Sequence, residues 1–482
     1  MRVTFLRILI LLLSGAPLTV DAQWLELGAS TATFMGQDGN FAMAVDGPGN
    51  VYLSGYHTDA NGKYYVSKWN GTSWSPLGAL NVDNSLRALA VDAGGNVYAA
   101  GKFKNPGLNN YYVSRWDGTS WNEIRNDSSY LKANYFINTV AVDAARNVYA
   151  AGFFSDGLNW GKGRPYVAKW NGAKWAQLGT IDSMRNPVDS VINSITIDPA
   201  GNVYAVGSFV DAAGNTCVMK WNGSSWQGMG TFPYPSVGFA LQTVVADKAG
   251  NIYTAGTIVN NVGLLYVAKW NGTSWSELAA PGSRLGVKYD RVILTLAVTP
   301  NGSDVYAGGY TEKPVTNKAY VAHWDGVQWS ELGPPPNELH TGRPGGIWEL
   351  ALDGLGRVYA TGEFLNPSNR CYVARHPTPP KPTTNVIASG NDQGIKVYPV
   401  PNNGRFSVTG PWAKSNGSQQ VTVRVSNTLG QVLYTATMQT SGGSLSVDMR
   451  NRAALAGGVY QLQVFSGART YSQAVQIGGG VN

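Results

Sequence analysis

The chain has 482 residues, of which only 13% are charged and 11% are aromatic, and it contains 59 glycines. This composition excludes a disordered chain or a coiled coil and favours many short strands joined by tight turns. The formal charge of +7 includes no long run of like charges, so nucleic-acid binding is not predicted, and two cysteines are too few for a disulfide scaffold.

The first 22 residues have the pattern of a secretory signal. Arg2 and Arg7 form a basic start, residues 8–13 are apolar, and residues 20–22 form a small-x-small cleavage site. An uncleaved membrane anchor is the alternative, but this apolar run is far shorter than the roughly 20 residues that span a bilayer. We therefore expect residues 1–22 to be a signal peptide, with no transmembrane segment remaining after its removal.

One pattern then recurs seven times between Met43 and His376. The copies are MAVDGPGNVYLSG, LAVDAGGNVYAAG, VAVDAARNVYAAG, ITIDPAGNVYAVG, VVADKAGNIYTAG, LAVTPNGSDVYAGG and LALDGLGRVYATG. Their marker residues are Asp46, Asp92, Asp143, Asp198, Asp247, Thr299 and Asp353. The markers lie 46 to 55 residues apart, which is the length of one propeller blade.

The first six copies each continue into a second hairpin, for example YYVSKWNGTSWSPLG at 64–78. An Asn-Gly or Asp-Gly pair lies at its centre and supplies the positive φ angles that a tight hairpin needs. Each repeat is therefore predicted to be four antiparallel strands, which we call A (AVD), B (NVYAAG), C (YVSKW) and D (SWxxLG).

The seventh copy ends at His376, after strand C, and has no strand D. The missing segment is found at the start of the mature chain, where residues 23–28, QWLELG, have the strand D pattern. We predict that this N-terminal strand completes the seventh blade and closes the ring, which removes an exposed sheet edge. An open solenoid is the alternative, and it leaves the two complementary half-blades unexplained.

Thirteen of the 16 tryptophans occupy two repeated positions, at the end of strand C or the start of strand D. They are Trp69, Trp116, Trp170, Trp221, Trp270 and Trp324 in strand C and Trp74, Trp121, Trp175, Trp226, Trp275, Trp329 and Trp24 in strand D. Such a series is able to stack on sugars, but its regularity favours packing between blades. Cys217 and Cys371 lie in the fourth and seventh copies and are predicted to be unpaired.

The strand A–B unit, for example AVDAGGNVYAAG at 90–101, resembles the seven-bladed β-propeller (SBBP) repeat and, less closely, the NHL repeat. The resemblance implies an all-β propeller fold over residues 23–376 and a recognition surface, with no catalytic residues to carry over.

Residues 377–394 form a Pro-rich linker, and residues 395–482 lose the repeat and predict the short strands of an Ig-like β-sandwich. Three segments, VYPVPNNGRFSV (397–408), VSNTLGQVLY (425–434) and LAGGVYQLQV (455–464), resemble the type IX secretion sorting domain of Bacteroidota. The resemblance implies that the type IX machinery handles this domain and that the protein is secreted or lies on the outer cell surface. An unrelated fibronectin-like adhesive module is the alternative.

The strand order predicts which face carries function. The A–B and C–D turns share one face, the bottom, and are tight and repeated, whereas the B–C and D–A connections share the top face and vary. Variable loops on a rigid scaffold usually carry function. The residues five positions before each marker are expected to ring the top mouth of the channel, and we call them the mouth residues: Phe41, Arg87, Asn138, Asn193, Gln242, Leu294 and Trp348.

Among the mouth residues, Phe41, Arg87, Asn138, Asn193, Gln242 and Trp348 are the predicted ligand-binding site. Their mixture of polar and aromatic side chains suits a polar ligand with an apolar face, such as a sugar. Capping of strand ends is the alternative role.

Catalytic, cofactor and metal sites are not predicted, because the four histidines have no metal-ligand spacing and the single repeated Asp is a poor calcium ligand set. The leading hypothesis is a non-enzymatic exported propeller that binds an extracellular glycan or a surface protein. A carbohydrate-active hydrolase or lyase is the alternative, and it needs two facing carboxylates. The candidates Asp189, Asp290, Glu338 and Glu349 are not paired by anything in the sequence. A structural adhesion component without a pocket is the third possibility.

Overall fold

The computed structural model describes a chain of strands, with no helix among the described residues. These are residues 24–28, 40–157, 163–181, 191–279, 285, 287, 291–310, 320–333, 339, 346–376, 396–398, 405–409, 420–426, 432–439, 444–448, 458–466 and 469–477. The predicted signal peptide (1–22) and Pro-rich linker (377–394) lie outside them.

Twenty-eight strands form seven four-stranded antiparallel sheets, one for each predicted repeat. In chain order they are β1 (Leu25–Glu26), β2 (Asn40–Val45), β3 (Val51–Gly55), β4 (Ser67–Trp69), β5 (Trp74–Pro76), β6 (Leu86–Val91), β7 (Val97–Gly101), β8 (Ser114–Trp116), β9 (Trp121–Glu123), β10 (Ile137–Val142), β11 (Val148–Gly152), β12 (Tyr166–Trp170), β13 (Trp175–Thr180), β14 (Ile192–Ile197), β15 (Val203–Gly207), β16 (Met219–Trp221), β17 (Trp226–Gly228), β18 (Leu241–Ala246), β19 (Ile252–Gly256), β20 (Ala268–Trp270), β21 (Trp275–Glu277), β22 (Ile293–Val298), β23 (Val305–Gly309), β24 (Val321–Trp324), β25 (Trp329–Leu332), β26 (Ile347–Leu352), β27 (Val358–Leu365) and β28 (Cys371–His376).

The seven sheets are the blades of a closed ring. Each strand A packs beside the strand A of the next blade, and β26 of the seventh blade packs beside β2 of the first. All five residues of every strand B in the first six blades are buried, because these strands lie between neighbouring sheets. The predicted seven-bladed propeller is confirmed.

The N-terminal strand closes the ring as predicted. Strand β1 pairs antiparallel with β28, with Leu25 opposite Arg375 and Glu26 opposite Ala374. The indole of Trp24 contacts the ring of His376 edge-on, with the ring centres 5.3 Å apart. His376 therefore fills the place that a strand C tryptophan takes in the other blades.

The strand D tryptophans join each blade to the one before it. In all seven blades the indole N–H donates a hydrogen bond to a backbone carbonyl at the end of the preceding strand D or just after it. The pairs are Trp24 to Leu332, Trp74 to Leu27, Trp121 to Leu77, Trp175 to Ile124, Trp226 to Leu178, Trp275 to Met229 and Trp329 to Leu278. These hydrogen bonds support the predicted role of the strand D tryptophans in packing between blades.

The repeated Asp organises the A–B turn through its carboxylate. In the second blade, Asp92 accepts hydrogen bonds from the backbone N–H groups of Gly94 and Asn96 and from the side chains of Asn96 and Tyr98. Such a saturated carboxylate is a turn former. In the C–D turns only the glycine has positive φ, while the preceding Asn or Asp accepts backbone hydrogen bonds through its side chain.

The sixth blade replaces this turn chemistry with another. Thr299 stands at the Asp position, and its hydroxyl accepts a hydrogen bond from the backbone N–H of Asp304 at 3.0 Å. The carboxylate of Asp304 lies 2.8 Å from the His323 imidazole, which stacks on Tyr306. Asp304, which lies directly before Val305, therefore supplies a carboxylate that the marker position lacks. The sixth blade still has four strands.

The remaining strands form two sheets that enclose a separate core. One has the order β29 (Lys396–Tyr398), β30 (Arg405–Thr409) and β33 (Ser444–Asp448). The other has the order β32 (Val432–Gln439), β31 (Gln420–Ser426), β34 (Gly458–Ser466) and β35 (Arg469–Ile477). Alternate residues such as Val408, Val423 and Leu462 are buried between the sheets, as in the predicted β-sandwich.

Cys217 and Cys371 are buried and form no disulfide, as predicted. Nowhere in the described part of the chain does a helix have the length and apolar character needed to cross a bilayer.

Candidate functional site: the channel mouth

Every strand A contains a β-bulge at the same step, and the extra residue is the mouth residue. In β10, for example, Ile137 lies opposite Gly152 and Thr139 lies opposite Ala151, so that Asn138 is left without a partner across the ladder. The other six bulges skip Phe41, Arg87, Asn193, Gln242, Leu294 and Trp348. A bulge turns a side chain away from the regular alternation of a strand, and bulges are common beside binding sites.

The glycine that ends strand B permits this bulge. A Cβ atom on Gly101 would lie 2.4 Å from the carbonyl oxygen of Ser85 and 2.9 Å from the backbone nitrogen of Arg87. On Gly152 it would lie 2.6 Å from the nitrogen of Asn138. The repeated glycine is therefore required by the close approach of the bulged strand.

Four of the six predicted site residues line one cavity at the mouth of the channel. The cavity has a volume of about 200 Å³, and its wall includes Arg87, Asn138, Asn193 and Gln242 together with Leu294. Trp348 lies half-buried at the bulge of β26 and is not part of this wall. The side chain of Phe41 lies outside the described residues.

The amide side chains in the cavity differ in how they are bonded. Asn193 donates a hydrogen bond from its side-chain amide to the backbone carbonyl of Leu241 in the next blade at 2.9 Å. This contact is the capping of a strand end, which is the alternative role of the mouth residues. The side-chain oxygen of Asn138 is buried and has no hydrogen-bond partner among the described residues. A buried acceptor without a partner is costly.

A second polar layer lies one residue further along strand A, and sequence reasoning missed most of it. Thr139, Ser194, Thr243, Thr295 and Glu349 also line the cavity. Thr295 accepts a hydrogen bond from the backbone N–H of Leu350 in the next blade at 3.0 Å. The available signal was the run of hydroxyl residues directly after the mouth residues in an otherwise apolar strand.

Glu349 is the acidic member of this layer. Burial raises its pKa to about 8, and its hydrogen bond with Thr295 opposes the shift. The carboxyl group is therefore mostly protonated at neutral pH. Because Arg87 is the other ionisable side chain in the described cavity wall, the cavity is positively charged at neutral pH.

Arg87 belongs to a cation–aromatic cluster on the top face, which we define as Arg87, Lys102, Tyr135, Phe136 and Phe153. The guanidinium carbon of Arg87 lies 5.1 Å from the ring centre of Phe136, and the ammonium of Lys102 lies 5.2 Å from it. The ring of Phe136 packs against Tyr135 and Phe153 at 4.5 and 4.3 Å. All five side chains are half-buried.

Burial lowers the pKa of Arg87. Burial also lowers the pKa of Lys102, and repulsion by the charge of Arg87 lowers it further. Lys102 and Phe153 directly follow the glycine that ends strand B. That position varies between the repeats, which is the signal that would have placed these residues beside the mouth.

The opposite end of the channel opens into a larger cavity of about 670 Å³. Its wall is made of A–B turns from the third to the sixth blades, with Ala144, Ala145, Pro199 and Ala200 among the lining residues. The Asp198 carboxylate in this wall already accepts hydrogen bonds from Ala200, Asn202 and Tyr204. This end is therefore larger but offers less polar chemistry.

Of the four carboxylates considered for hydrolysis, only Glu349 is described, and Asp189, Asp290 and Glu338 lie outside the described residues. In the described ranges, no three His, Cys, Asp or Glu side chains come together closely enough to hold a metal ion.

Residues 396–477 match the family model of the secretion system C-terminal sorting domain. The protein is exported. This match covers the described β-sandwich and confirms the prediction of type IX export to the cell surface or the medium. No curated protein matches the chain by sequence. The finer assignment to the SBBP repeat stays a prediction.

Solved structures are similar to this chain only at low sequence identity and with TM-scores below 0.5. PorZ, described as an essential surface component of the type IX secretion system of Porphyromonas gingivalis, has a TM-score of 0.47 and 12% identity over 93% of this chain and 60% of its own. The WD40 repeats of RRP9 have a TM-score of 0.47 and 12% identity, over 73% of this chain and 99% of their own. The propeller of the Trilobed protease from Pyrococcus furiosus has a TM-score of 0.40 and 11% identity, over 61% and 81%. The chain thus spans 60% of the length of PorZ.

Proposed function

We propose that this exported propeller is a non-enzymatic binding protein that holds a polar extracellular ligand, a glycan or a surface protein, at the channel mouth of its top face. The observation that carries the proposal is the convergence of Arg87, Asn138, Asn193 and Gln242, from four successive blades, on one cavity. The side-chain oxygen of Asn138 in the same wall has no hydrogen-bond partner among the described residues.

The size of the cavity limits what enters it. Enclosed sites for drug-sized ligands have volumes of about 300–1,000 Å³, whereas this cavity has about 200 Å³. It accepts one end group, such as a single sugar ring or an amino-acid side chain. The rest of the ligand then lies across the top-face loops.

The proposal is tested by binding of the full mature chain to an array of polysaccharides, oligosaccharides and surface proteins. Arg87→Ala and Gln242→Ala, both in the cavity wall, are expected to raise the dissociation constant of the ligand found at least tenfold. Lys248→Ala, at the opposite end of the channel, is the control and is expected to have no effect. Binding that survives both mouth substitutions contradicts the proposal.

A carbohydrate-active hydrolase or lyase is the second candidate, and Glu349 is the observation in its favour. A carboxyl with a raised pKa inside a cavity is the usual general acid of glycoside cleavage. Release of new reducing ends from a polysaccharide, abolished by Glu349→Gln, would support this activity over simple binding. Unchanged reducing ends after prolonged incubation with bound polysaccharide would support the binding function.

A further inference from the structure

The cation–aromatic cluster contains two positive charges, and the described part of the chain places no carboxylate beside them. Among the described residues, neither Arg87 nor Lys102 lies within ion-pair distance of a carboxylate. Both are half-buried, so that each has lost part of its hydration. Partly desolvated cations without a partner are costly, and they are compensated when an anion binds between them.

The aromatic members of the cluster supply a surface for the rest of such a ligand. The rings of Tyr135, Phe136 and Phe153 are half-buried and lie in mutual contact. They therefore present one apolar surface beside the two cations. An aromatic surface next to hydrogen-bonding groups suits the C–H face of a sugar ring.

The side-chain oxygen of Asn138 distinguishes a saccharide from a simple anion as the ligand, because it needs a hydrogen-bond donor. It is buried and has no partner within the described ranges, and carboxylate or sulfate groups have no hydrogen to donate to it. A sugar hydroxyl does. Gln242 and the hydroxyl layer of the cavity provide further partners for a polyhydroxylated group.

A peptide fits these features less well. Extended peptides usually pair their backbone with an exposed strand edge, whereas every strand A at the channel is paired in its own blade and packed beside its neighbours.

From these features we infer that the ligand is an acidic saccharide, whose carboxylate or sulfate lies between Arg87 and Lys102 while its sugar ring packs on Phe136. This inference rests on the proposed function, since it names the ligand class of the same mouth. It goes further by placing recognition over the second and third blades and by requiring a negative charge.

The test compares matched probes with the full mature chain by calorimetry at low salt. The probes are tetragalacturonate, its neutral methyl ester, a heparin tetrasaccharide and a hexaglutamate peptide. At least one of the two acidic saccharides is expected to bind about tenfold or more tightly than the neutral ester and the peptide. Raising the salt concentration should weaken this binding.

Substitutions test whether Arg87 and Lys102 bind the acidic group of the ligand. Arg87→Gln and Lys102→Gln are each expected to weaken acidic saccharide binding about tenfold, because each removes one charge-assisted contact. Arg87→Lys should retain part of the affinity. Lys220→Gln is the matched control, since Lys220 also lies over an aromatic ring, that of Tyr204 at 5.5 Å, but on strand C of the fourth blade. This variant should bind like the wild type. Circular dichroism establishes that each variant is folded.

The outcomes separate the two proposals. Equal binding of tetragalacturonate and its neutral ester, weakened by Gln242→Ala in the cavity wall, overturns the inference and leaves the proposed function standing. Tighter binding of hexaglutamate than of either acidic saccharide overturns it in favour of an acidic peptide. If neither acidic saccharide binds, the inference fails, and the array then decides the proposed function separately.

Discussion

Glu349 acquires its chemistry from its surroundings. As the first residue after the bulge in β26 it faces the channel cavity, where the inner strands of six other blades surround it. Burial keeps its proton to about pH 8. A carboxyl that stays neutral at pH 7 does not repel an acidic ligand held by Arg87 on the wall of the same cavity.

The raised pKa gives stability a defined pH dependence. Between pH 4.5, the ordinary value, and about pH 8, the unfolded chain loses the Glu349 proton and the folded chain keeps it. Stability is therefore lost as the pH rises, by up to about 1.4 kcal/mol per unit. Glu349→Gln should be more stable than the wild type at pH 8 and similar at pH 4 in urea unfolding. With Glu363→Gln as the control, equal pH dependence of Glu349→Gln and the wild type would show that Glu349 ionises normally.

Arg146 has a left-handed backbone conformation, which is unfavourable for a residue with a Cβ atom. It has φ of +64° at the turn position where the other six blades have glycine, namely Gly49, Gly95, Gly201, Gly250, Gly302 and Gly356. This conformation costs a non-glycine residue about 1–2 kcal/mol. Glycine also loses more entropy on folding, which offsets part of the gain.

Arg146→Gly is accordingly expected to raise the free energy of unfolding by about 0.5–1 kcal/mol, measured by urea denaturation. The Arg146 guanidinium lies 4.0 Å from Asp92 but is 65% exposed, so its loss matters little. Arg146→Ala removes that charge and keeps the strained φ. If alanine stabilises as much as glycine, strain is not the reason.

At the scale of the element, the bulged strand A and the glycine of strand B form one unit. The bulge turns Arg87 into the channel only because β7 ends in Gly101, whose missing Cβ leaves room for the backbone of Ser85 and Leu86. Sequence reasoning located the mouth residues by counting from the marker. It did not explain the glycine, because this contact joins two strands 14 or more residues apart and is not a local turn.

Gly101→Ala should therefore push β6 away from β7. We expect a loss of about 1–3 kcal/mol of stability and weaker ligand binding, since Arg87 follows the displaced backbone. Gly47→Ala is the control, because a Cβ there meets no atom within 4 Å and its φ is not positive. Equal unfolding midpoints for the two variants would contradict the role assigned to Gly101.

At the scale of the whole molecule, the ring is closed without a covalent bond. The contacts that close it are the β1–β28 pairing, the Trp24 bond to Leu332 and the bond from Asn366 to the Glu26 carboxylate at 2.8 Å. Leu27 also accepts the indole N–H of Trp74 from the first blade. Residues 24–28 thus connect three blades.

Deletion of residues 23–28 is expected to lower the free energy of unfolding by at least about 3 kcal/mol, the usual cost of losing one large buried side chain. Moving the same six residues behind His376, through an Asn-Gly turn as in the other blades, should restore the stability. Guanidinium unfolding followed by tryptophan fluorescence measures both. A deletion variant as stable as the wild type, or a failed rescue, would contradict closure by this strand.

The sequence by itself determined the seven blades, their strand order and the closing strand, since turns, repeat period and aromatic positions are local features repeated along the chain. Tertiary structure alone decided that burial raises the pKa of Glu349 and that Arg87 and Lys102 share the ring of Phe136. It also decided that Asn193 bonds to a neighbouring strand, whereas the side-chain oxygen of Asn138 has no partner in the part of the chain that is described. These properties depend on distances between side chains of different blades, and on how much water those blades exclude. Such quantities arise only when the ring is closed.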